Sequence, residues 1–285
     1  MIEAKTAQAT ESVADHYDEL DRWYLAIWGE HVHHGLWLTG RETTEVATHN
    51  LVARLAERLS IGARTRICDI GCGYGGTARV LAREYGASVT GVTLSGAQYA
   101  YAVDAAAGDG DPQILLMDFM DNDFDGATFD AAISIESSEH FQDKPGLIEE
   151  IYRIVRPGGR VGIYAWLAKE GAAEWQVDRL LEAICREGRL PGLGTEQDYR
   201  GWLCKAGFRD VTFEDYSRNV KRTWPIVIGR AARRMLWDAS AWAYLFSGAK
   251  SLDFGKSIFR IWLAYQLGCL RYGLFTATKP TAMNE

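Results

Sequence analysis

The chain has 285 residues, 47% of them hydrophobic, with a formal net charge of -7 and a pI near 5.5. This length and apolar content suit one large domain, alone or with a cap, that buries a substantial core. The acidic balance argues against a nucleic-acid partner, because the neutralisation of phosphates requires a basic face.

Residues 1–60 are predicted to form an N-terminal helical cap. Apolar residues recur at helical spacing in LVARLAERL, residues 51–59. Before them lies WGEHVHHGLW, residues 28–37, which is richer in aromatic residues and histidine than an ordinary connector. The first residues are polar and contain no apolar signal core, so we expect a cytoplasmic protein.

Strands and helices then alternate along the chain, which predicts an α/β fold. The apolar runs that alternate with amphipathic helices are TRICDIG (65–71), ASVTGVTLS (87–95), QILLMD (113–118), FDAAISIES (129–137) and RVGIYAW (160–166). Such an alternation is typical of a parallel sheet with helices on both faces.

The rest of the chain completes the sheet and adds a lid. FRDVTFEDYS (208–217) and GCLRYGLFTATK (268–279) are predicted as the sixth and seventh strands, and residues from about 218 to 266 as a helical insertion rich in aromatic residues. If the last two strands pair as a hairpin, this insertion projects from one sheet edge as a lid. The predicted fold is a seven-stranded, mostly parallel sheet over residues 61–285, with the cap before it and the lid before the last strand.

A glycine loop, DIGCGYGG, ends the first strand. Gly71, Gly73 and Gly76 satisfy the G-x-G-x-x-G pattern of dinucleotide sites, so a nicotinamide or flavin cofactor must be weighed against S-adenosylmethionine (SAM). The carboxylate of Asp69 would repel a pyrophosphate at the N-terminus of the following helix. It suits a ligand that carries an ammonium and a sulfonium, which favours SAM.

The next two strands end in residues that fit a nucleoside. A dinucleotide site expects an acid at the end of the second strand, whereas this strand ends in Gly-Val-Thr-Leu-Ser, where Thr93 can bond a hydroxyl. Asp118 closes the third strand, where a carboxylate could accept a hydrogen bond from an adenine amine. Open α/β sheets bind ligands at the carboxyl ends of their strands, so this succession predicts a SAM site.

Several motifs resemble the methyltransferases of the tocopherol methyltransferase type, which are relatives of the cyclopropane fatty acid synthases. They are DIGCGYGGTARVLA, GVTLSGAQ, MDFMD, SIESSEHFQDK and RIVRPGGRV. The similarity extends to residues 16–37 and 185–225, so it covers nearly the whole chain. It implies a Rossmann-like, class I SAM-dependent methyltransferase that releases S-adenosylhomocysteine (SAH). The insertion from about 230 to 266 matches no pattern tied to a particular acceptor.

The resemblance also implies a set of cofactor-binding residues. Around the methionine part these are Asp69, Gly71, Gly73 and Gly75; at the ribose, Thr93 and Gln98; at the adenine, Asp118 and Phe119. Tyr17 and the HVHHG segment, residues 31–35, would close over the sulfonium from the N-terminal side. Cys72, Leu94 and Glu136 complete the predicted set.

Catalytic candidates follow the fourth strand. The sulfonium is an activated electrophile, so the protein chiefly aligns the acceptor atom and excludes water. Glu136, Glu139 and His140 lie at the sheet edge that faces the reacting methyl group in such folds. We expect Glu136 or His140 to remove the acceptor proton, with burial raising a carboxylate's pKa toward the working range. The alternative is that Glu136 orders the loop and His140 caps the next helix.

No protein-bound metal is predicted. His31, His33 and His34 lie beside Glu30, but neighbouring residues on an extended segment point alternately, and no distant Cys or Asp partner is evident. The five cysteines are scattered, which predicts neither a zinc site nor disulfides. An acceptor diphosphate that brings its own magnesium remains open.

The aromatic residues of the cap and lid suit a small lipophilic acceptor. We predict carbon methylation of an aromatic, indole-like or prenylated metabolite in natural-product biosynthesis, with acceptor contacts from Tyr24, His33, His34 and Trp175. Nitrogen or oxygen methylation of a natural product, cyclopropane-type lipid modification and non-catalytic SAM binding are the alternatives. A homo-oligomer is left open. No stable membrane insertion is expected, because charged residues and glycines interrupt the apolar stretch 257–277.

Overall fold

The computed structural model describes residues 1–3, 25, 27–108, 110–237 and 249–281. The strands are, in chain order, β1 (Ile2–Glu3), β2 (Arg66–Ile70), β3 (Ser88–Thr93), β4 (Gln113–Leu116), β5 (Phe129–Ile135), β6 (Val155–Ala168), β7 (Gly192–Leu193), β8 (Arg209–Asp215) and β9 (Leu270–Thr278). β1 and β7 form a two-stranded antiparallel sheet, and the other seven strands form one sheet.

The helices lie between these strands. They are α1 (Thr44–Leu59), α2 (Gly76–Tyr85), α3 (Gly96–Ala105), α4 (Lys144–Ile154), α5 (Glu174–Gln176, the π-helical turn Val177–Leu181, and Glu182–Glu187), α6 (Glu196–Ala206), α7 (Ser217–Val220), α8 (Thr223–Trp237) and α9 (Ala249–Gln266). Within the part of the chain that the structure describes, no helix is both long and apolar enough to cross a membrane.

The large sheet has the order β4-β3-β2-β5-β6-β9-β8. Its first five strands are parallel, whereas β9 runs antiparallel to both β6 and β8. The chain moves outward from β2 to β4 and then crosses back to β5 on the other side of β2. This reversal creates a crevice at the carboxyl ends of β2 and β5, where open α/β sheets bind their ligands.

Two buried apolar layers cover the two faces of the sheet. Neighbouring strand residues alternate between them: Ile67 packs with one layer and Cys68 with the other. On the first face, Leu51 and Leu55 of α1 are fully buried. Thr43 begins this helix, because its side chain accepts a hydrogen bond from the backbone N–H of the third residue of the helix. Both faces of the sheet are therefore closed, and only the strand ends are available to ligands.

Helices α7, α8 and α9 lie between the antiparallel strands β8 and β9. The predicted fold class is confirmed, including the helical lid before the last strand. The predicted division at residue 60 stays a prediction, because residues 4–24, which form much of the proposed cap, lie outside the described residues. Within the lid, α9 packs against α5 and α8.

Candidate active site

The loop between β2 and α2 lies at the crevice in a backbone conformation that glycine favours. Gly71, Gly73 and Gly75 have φ angles of 76°, 55° and 73°. A Cβ at Gly71 would lie 2.4 Å from the Cβ of Ser137, so the two loops need glycine to approach this closely. A Cβ at Gly73 would meet only Gln98 Nε2, at 4.0 Å, so Gly73 leaves space beside the loop that a ligand can occupy.

Asp69, at the end of β2, is 2% exposed, and its Oδ2 atom has no hydrogen-bond partner among the described residues. Burial raises the pKa of this carboxyl group to about 7. A buried acceptor without a donor is costly, so its presence indicates a ligand that brings a donor. The ammonium group of the predicted cofactor fits this requirement.

The next loop supplies the hydroxyl and amide predicted for the ribose. Thr93 Oγ1 donates to Gln98 Oε1 at 3.1 Å, and the Gln98 backbone N–H donates to Ser95 Oγ at 3.1 Å. Ser95 thereby begins α3 and fixes the loop. Thr93 and Gln98 are nearly fully buried, so a ligand meets them in a defined orientation.

These loops surround a pocket of about 690 Å³, part of it open to solvent. The predicted cofactor residues that line it are Gly71, Gly73, Thr93, Leu94, Gln98, Phe119 and Glu136. Lining residues absent from the predicted set are Val92, Ser95, Met117, Ile135, Ser137, Phe141 and, within the HVHHG segment, Val32. We refer to this space as the cofactor pocket.

Four predicted cofactor residues do not line the pocket: Asp69, Cys72, Gly75 and Asp118. Asp69 and Cys72 are buried, and Cys72 packs with Ala102 and Ile114. The Asp118 side chain accepts a hydrogen bond from the Met120 backbone N–H at 2.9 Å and begins a short 3₁₀ turn. Tyr17 lies outside the described residues.

Glu136, directly after β5, has a φ of 54°, which is rare for a residue with a side chain. Its carboxylate accepts four hydrogen bonds: from the His34 backbone N–H at 2.7 Å, His34 Nδ1 at 2.9 Å, Tyr272 OH at 2.8 Å and Trp166 Nε1 at 2.8 Å. Burial raises the pKa of this carboxyl group, but its interactions with His34 and, less strongly, with His33 outweigh burial and hold the pKa down, at about 2. Glu136 is therefore an ionised anchor for the HVHHG segment.

The hydrogen bonds also define the state of His34. Trp224 Nε1 can only donate, and it lies 2.9 Å from His34 Nε2, so that nitrogen accepts. His34 Nδ1 must then carry the proton that is donated to Glu136. The imidazole is thus neutral and completely buried, with both nitrogens used inside the protein. It does not line the cofactor pocket or the acceptor pocket described below.

His33 belongs to a second buried chain of hydrogen bonds. Its Nδ1 donates to the His34 carbonyl at 2.8 Å, while its Nε2 lies 3.1 Å from His31 Nδ1 and 3.3 Å from Thr77 Oγ1. Burial lowers the pKa of His33 and lowers that of His31 to about 3. These neutral histidines fasten the HVHHG segment to α2. In the described part of the chain, no three His, Cys, Asp or Glu side chains are placed to hold a metal.

Glu139 differs sharply from Glu136, three residues away. Burial raises its pKa to about 7, although the Trp166 backbone N–H donates to Oε1 and Ser138 Oγ donates to Oε2 at 3.2 Å. The rise in pKa that we predicted for a buried carboxylate thus occurs at Glu139, whereas the pKa of Glu136 moves in the opposite direction.

Lys144 holds the turn that carries His140. Its buried Nζ donates to the carbonyls of Glu139 at 3.1 Å and Phe141 at 2.9 Å, the two neighbours of His140. Burial lowers the Lys144 pKa to about 8. Sequence reasoning missed this residue. Its position at the start of α4, directly after the catalytic candidates, was the available signal.

A second pocket of about 800 Å³, also partly open to solvent, adjoins the first. Val32, Glu136 and His140 line both pockets and form a shared wall. The other lining residues come from distant elements: Trp28, Glu139, Trp166, Ile184, Glu187, Gly188, Leu190, Trp224, Ser257, Ile258 and Ile261. We refer to this space as the acceptor pocket.

Trp224 organises the aromatic side of the acceptor pocket. Its ring meets Trp28 and Trp166 edge-on, each at a centroid distance of 5.7 Å. Of the residues predicted to contact the acceptor, Trp175 is 53% exposed and does not line this pocket. Tyr24 lies outside the described residues. The two pockets therefore meet where Glu136 and His140 follow β5.

The chain is similar in sequence and in structure to known proteins. The family model described as mycolic acid cyclopropane synthetase matches residues 4–226. The chain is 30% identical to the chloroplastic tocopherol O-methyltransferase of Arabidopsis thaliana, over 97% of this chain and 85% of that protein. It is also 30% identical to the 27-O-demethylrifamycin SV methyltransferase of Amycolatopsis mediterranei, over 77% and 81%. The structure of mycolic acid cyclopropane synthase CmaA1, complexed with SAH and CTAB, superposes with a TM-score of 0.83 at 18% identity, over 96% and 100% of the chains.

Proposed function

Because this chain belongs to the mycolic acid cyclopropane synthetase family and is a class I SAM-dependent methyltransferase, we propose that it methylates a carbon atom of an aromatic, indole-like or prenylated metabolite. One observation carries the proposal: the cofactor pocket and a largely apolar acceptor pocket share a wall formed by Val32, Glu136 and His140. An acceptor atom held beside these three residues, where the two pockets meet, would lie next to the cofactor.

The residues of the cofactor pocket fit SAM. Asp69 would hold the ammonium group, and Gly73 would let the methionine part approach the backbone. Thr93 and Gln98 would bind the ribose hydroxyls. When bound, SAM supplies an activated methyl group, so the remaining tasks of the protein are to orient the acceptor, exclude water and remove a proton.

His140 is the residue best suited to remove that proton. It lies on the shared wall, and an imidazole is the side chain that most often serves as a general base. Glu136 lies on the same wall, but its four donors make it a poor base, consistent with a pKa of about 2. We therefore assign proton removal to His140, and to Glu136 the task of holding the wall in place.

Methylation of an oxygen or nitrogen atom is the second candidate. Glu139 lines the acceptor pocket, and its pKa of about 7 allows a carboxylate to take a proton from a hydroxyl or an ammonium group near neutral pH. The name of the tocopherol O-methyltransferase, at 30% identity, also supports this candidate.

The test is incubation of the purified protein with methyl-labelled SAM and an extract of the host cells, followed by mass spectrometry and NMR of the labelled product. We expect a small apolar product with the label on carbon. A label on oxygen or nitrogen would select the second candidate. If the protein binds SAH but labels no small molecule, the proposed methyl transfer to a metabolite is wrong. A Gly73→Val variant serves as the control with weakened cofactor binding.

A further inference from the structure

The polar groups of the acceptor pocket are mostly hydrogen-bond acceptors. Three carboxylates line it, on Glu136, Glu139 and Glu187, amid tryptophan and aliphatic side chains. The indole N–H groups of Trp166 and Trp224 are already used, because they donate to Glu136 and to His34. A ligand that enters this pocket therefore meets carboxylate oxygens, which can only accept hydrogen bonds when ionised.

The three carboxylates differ in what they already bind. Glu136 accepts four hydrogen bonds, and Glu139 accepts one on each oxygen. Glu187, the last residue of α5, pairs with Arg260 of α9 through Oε1. Its side chain is 6% exposed, and its Oε2 atom has no partner among the described residues. One buried carboxylate oxygen at the acceptor pocket thus remains unsatisfied, which is costly without a ligand.

We propose that Glu187 Oε2 is a recognition point for a hydroxyl or ammonium group of the acceptor, at a position other than the methylated atom. This inference rests on the proposed function and narrows the acceptor class: an apolar body that carries one hydrogen-bond donor. A site built to bond a donor discriminates strongly against an analogue that lacks it, because the buried oxygen is then left unpaired.

The same arrangement disfavours an anionic acceptor such as a diphosphate. The ionised Glu136 and the Glu187 carboxylate repel negative charge within one pocket. Arg260 and Arg186 are the cations beside Glu187, and both already pair with its Oε1 atom, Arg186 at 4.0 Å. An anion would have to displace Glu187 from Arg260, whereas an alcohol or amine leaves the pair intact.

The test uses four indoles of similar size with the SAH-saturated protein: tryptophol, tryptamine, 3-propylindole and indole-3-propionate. Calorimetry should show that the alcohol and the amine bind at least about tenfold more tightly than the propyl compound. The carboxylate should bind most weakly. Geraniol, geranylamine, a hydrocarbon analogue and geranyl diphosphate form a parallel series for a prenyl-shaped pocket.

A Glu187→Gln variant removes the charge and keeps the side-chain volume. It should lose about tenfold in affinity for the amine and little for the hydrocarbon. Glu150→Gln is the control, because Glu150 is partly buried, pairs with Arg153 on another helix and does not line the pocket. The ligand ranking of the wild-type protein tests the inference even if the variant does not fold.

Three outcomes would overturn the inference. They are equal affinities within both series, tightest binding of the anions, and no binding of the alcohol and the amine in either series. SAH binding is measured first in the same calorimeter. Failure to bind SAH would count against the proposed function, whereas SAH binding with the wrong ligand ranking would count against the role of Glu187 alone.

Discussion

The cofactor pocket and the acceptor pocket share a wall but are assembled in different ways. Loops after four neighbouring strands form most of the cofactor pocket, and many of its lining residues lie between Gly71 and Phe141. The acceptor pocket collects residues from Trp28 to Ile261, contributed by the N-terminal segment, α5, the lid and the β5 loop. A site made of short loops depends on local backbone conformation, whereas a site made of distant elements depends on how the whole chain packs.

His140→Ala should have the largest effect of the variants. Because His140 lines both pockets, it tests whether chemistry takes place where the two pockets meet. If His140 removes the acceptor proton, kcat should fall about 1000-fold. Affinity for SAH should stay near the wild-type value, because Gly73, Thr93 and Gln98 remain in place. The assay uses the acceptor identified by labelling, with Glu139→Gln as the comparison variant. A near-normal kcat for His140→Ala would remove the assignment.

Gly73→Val should act on the cofactor pocket alone. Gly73 has a φ of 55°, and its missing Cβ leaves space in the loop. We expect affinity for SAH to fall about 100-fold, equivalent to about 3 kcal/mol. Gly40→Val is the matched control, since Gly40 also has a positive φ, 78°, and open space around it. Both variants should lose similar stability, and similar SAH affinity in both would contradict a role for Gly73 in binding.

Glu136→Gln should destabilise the structure at the place where the two pockets meet. The amide cannot accept all the hydrogen bonds that the carboxylate receives from His34, Tyr272 and Trp166. We expect the free energy of unfolding to fall by about 2 kcal/mol, measured by chemical denaturation. Glu84→Gln, at an exposed residue paired with His49, should cost less than about 0.5 kcal/mol. Equal costs would show that the Glu136 network is not a structural anchor.

The smallest expected effect is a pH dependence assigned to Asp69. Its pKa of about 7 exceeds the ordinary value of 3.8, so the folded protein without ligand holds a proton that the unfolded chain releases between these values. This contribution to stability is present below about pH 4 and is lost as the pH rises through 7. Asp69→Asn should remove it.

SAH binding should show the opposite slope, because an ammonium group prefers the ionised carboxylate. We expect affinity to rise about tenfold between pH 5.5 and 8 in the wild-type protein and to stay flat in Asp69→Asn. Glu139→Gln is an informative comparison, since Glu139 also has a pKa of about 7 but lines the acceptor pocket and does not precede the glycine loop. A slope that followed Glu139 would contradict the role of Asp69.

Much of the cofactor pocket could be predicted from the sequence, because its determinants are local. The strands appear as short apolar runs, and the carboxyl ends of parallel strands meet at one edge. Gly71, Gly73 and Thr93 therefore line one pocket, and their binding of the cofactor stays a prediction. Asp118 shows the limit of this reasoning: a residue can stand at a strand end and still use its side chain to begin the next turn.

The acceptor pocket could be predicted only in part. The HVHHG segment was predicted to contact the acceptor through His33 and His34. These histidines instead form hydrogen bonds within the protein, and Val32 is the residue of the segment that lines both pockets. Glu187 and Ile258 carry no local signal. They become pocket residues because the fold brings the end of α5 and part of α9 to the same pocket as the β5 loop.

The amino-acid sequence by itself determined the α/β alternation, the glycine loop and the cofactor class, since these follow from residue type and short spacing. Only the tertiary structure decided that Glu136 is an ionised anchor and Glu139 a carboxyl group with a pKa near 7. The pKa of a buried group depends on the donors around it, and the donors to Glu136 lie 30 to 136 residues away along the chain. Spacing along the chain cannot reveal such partners.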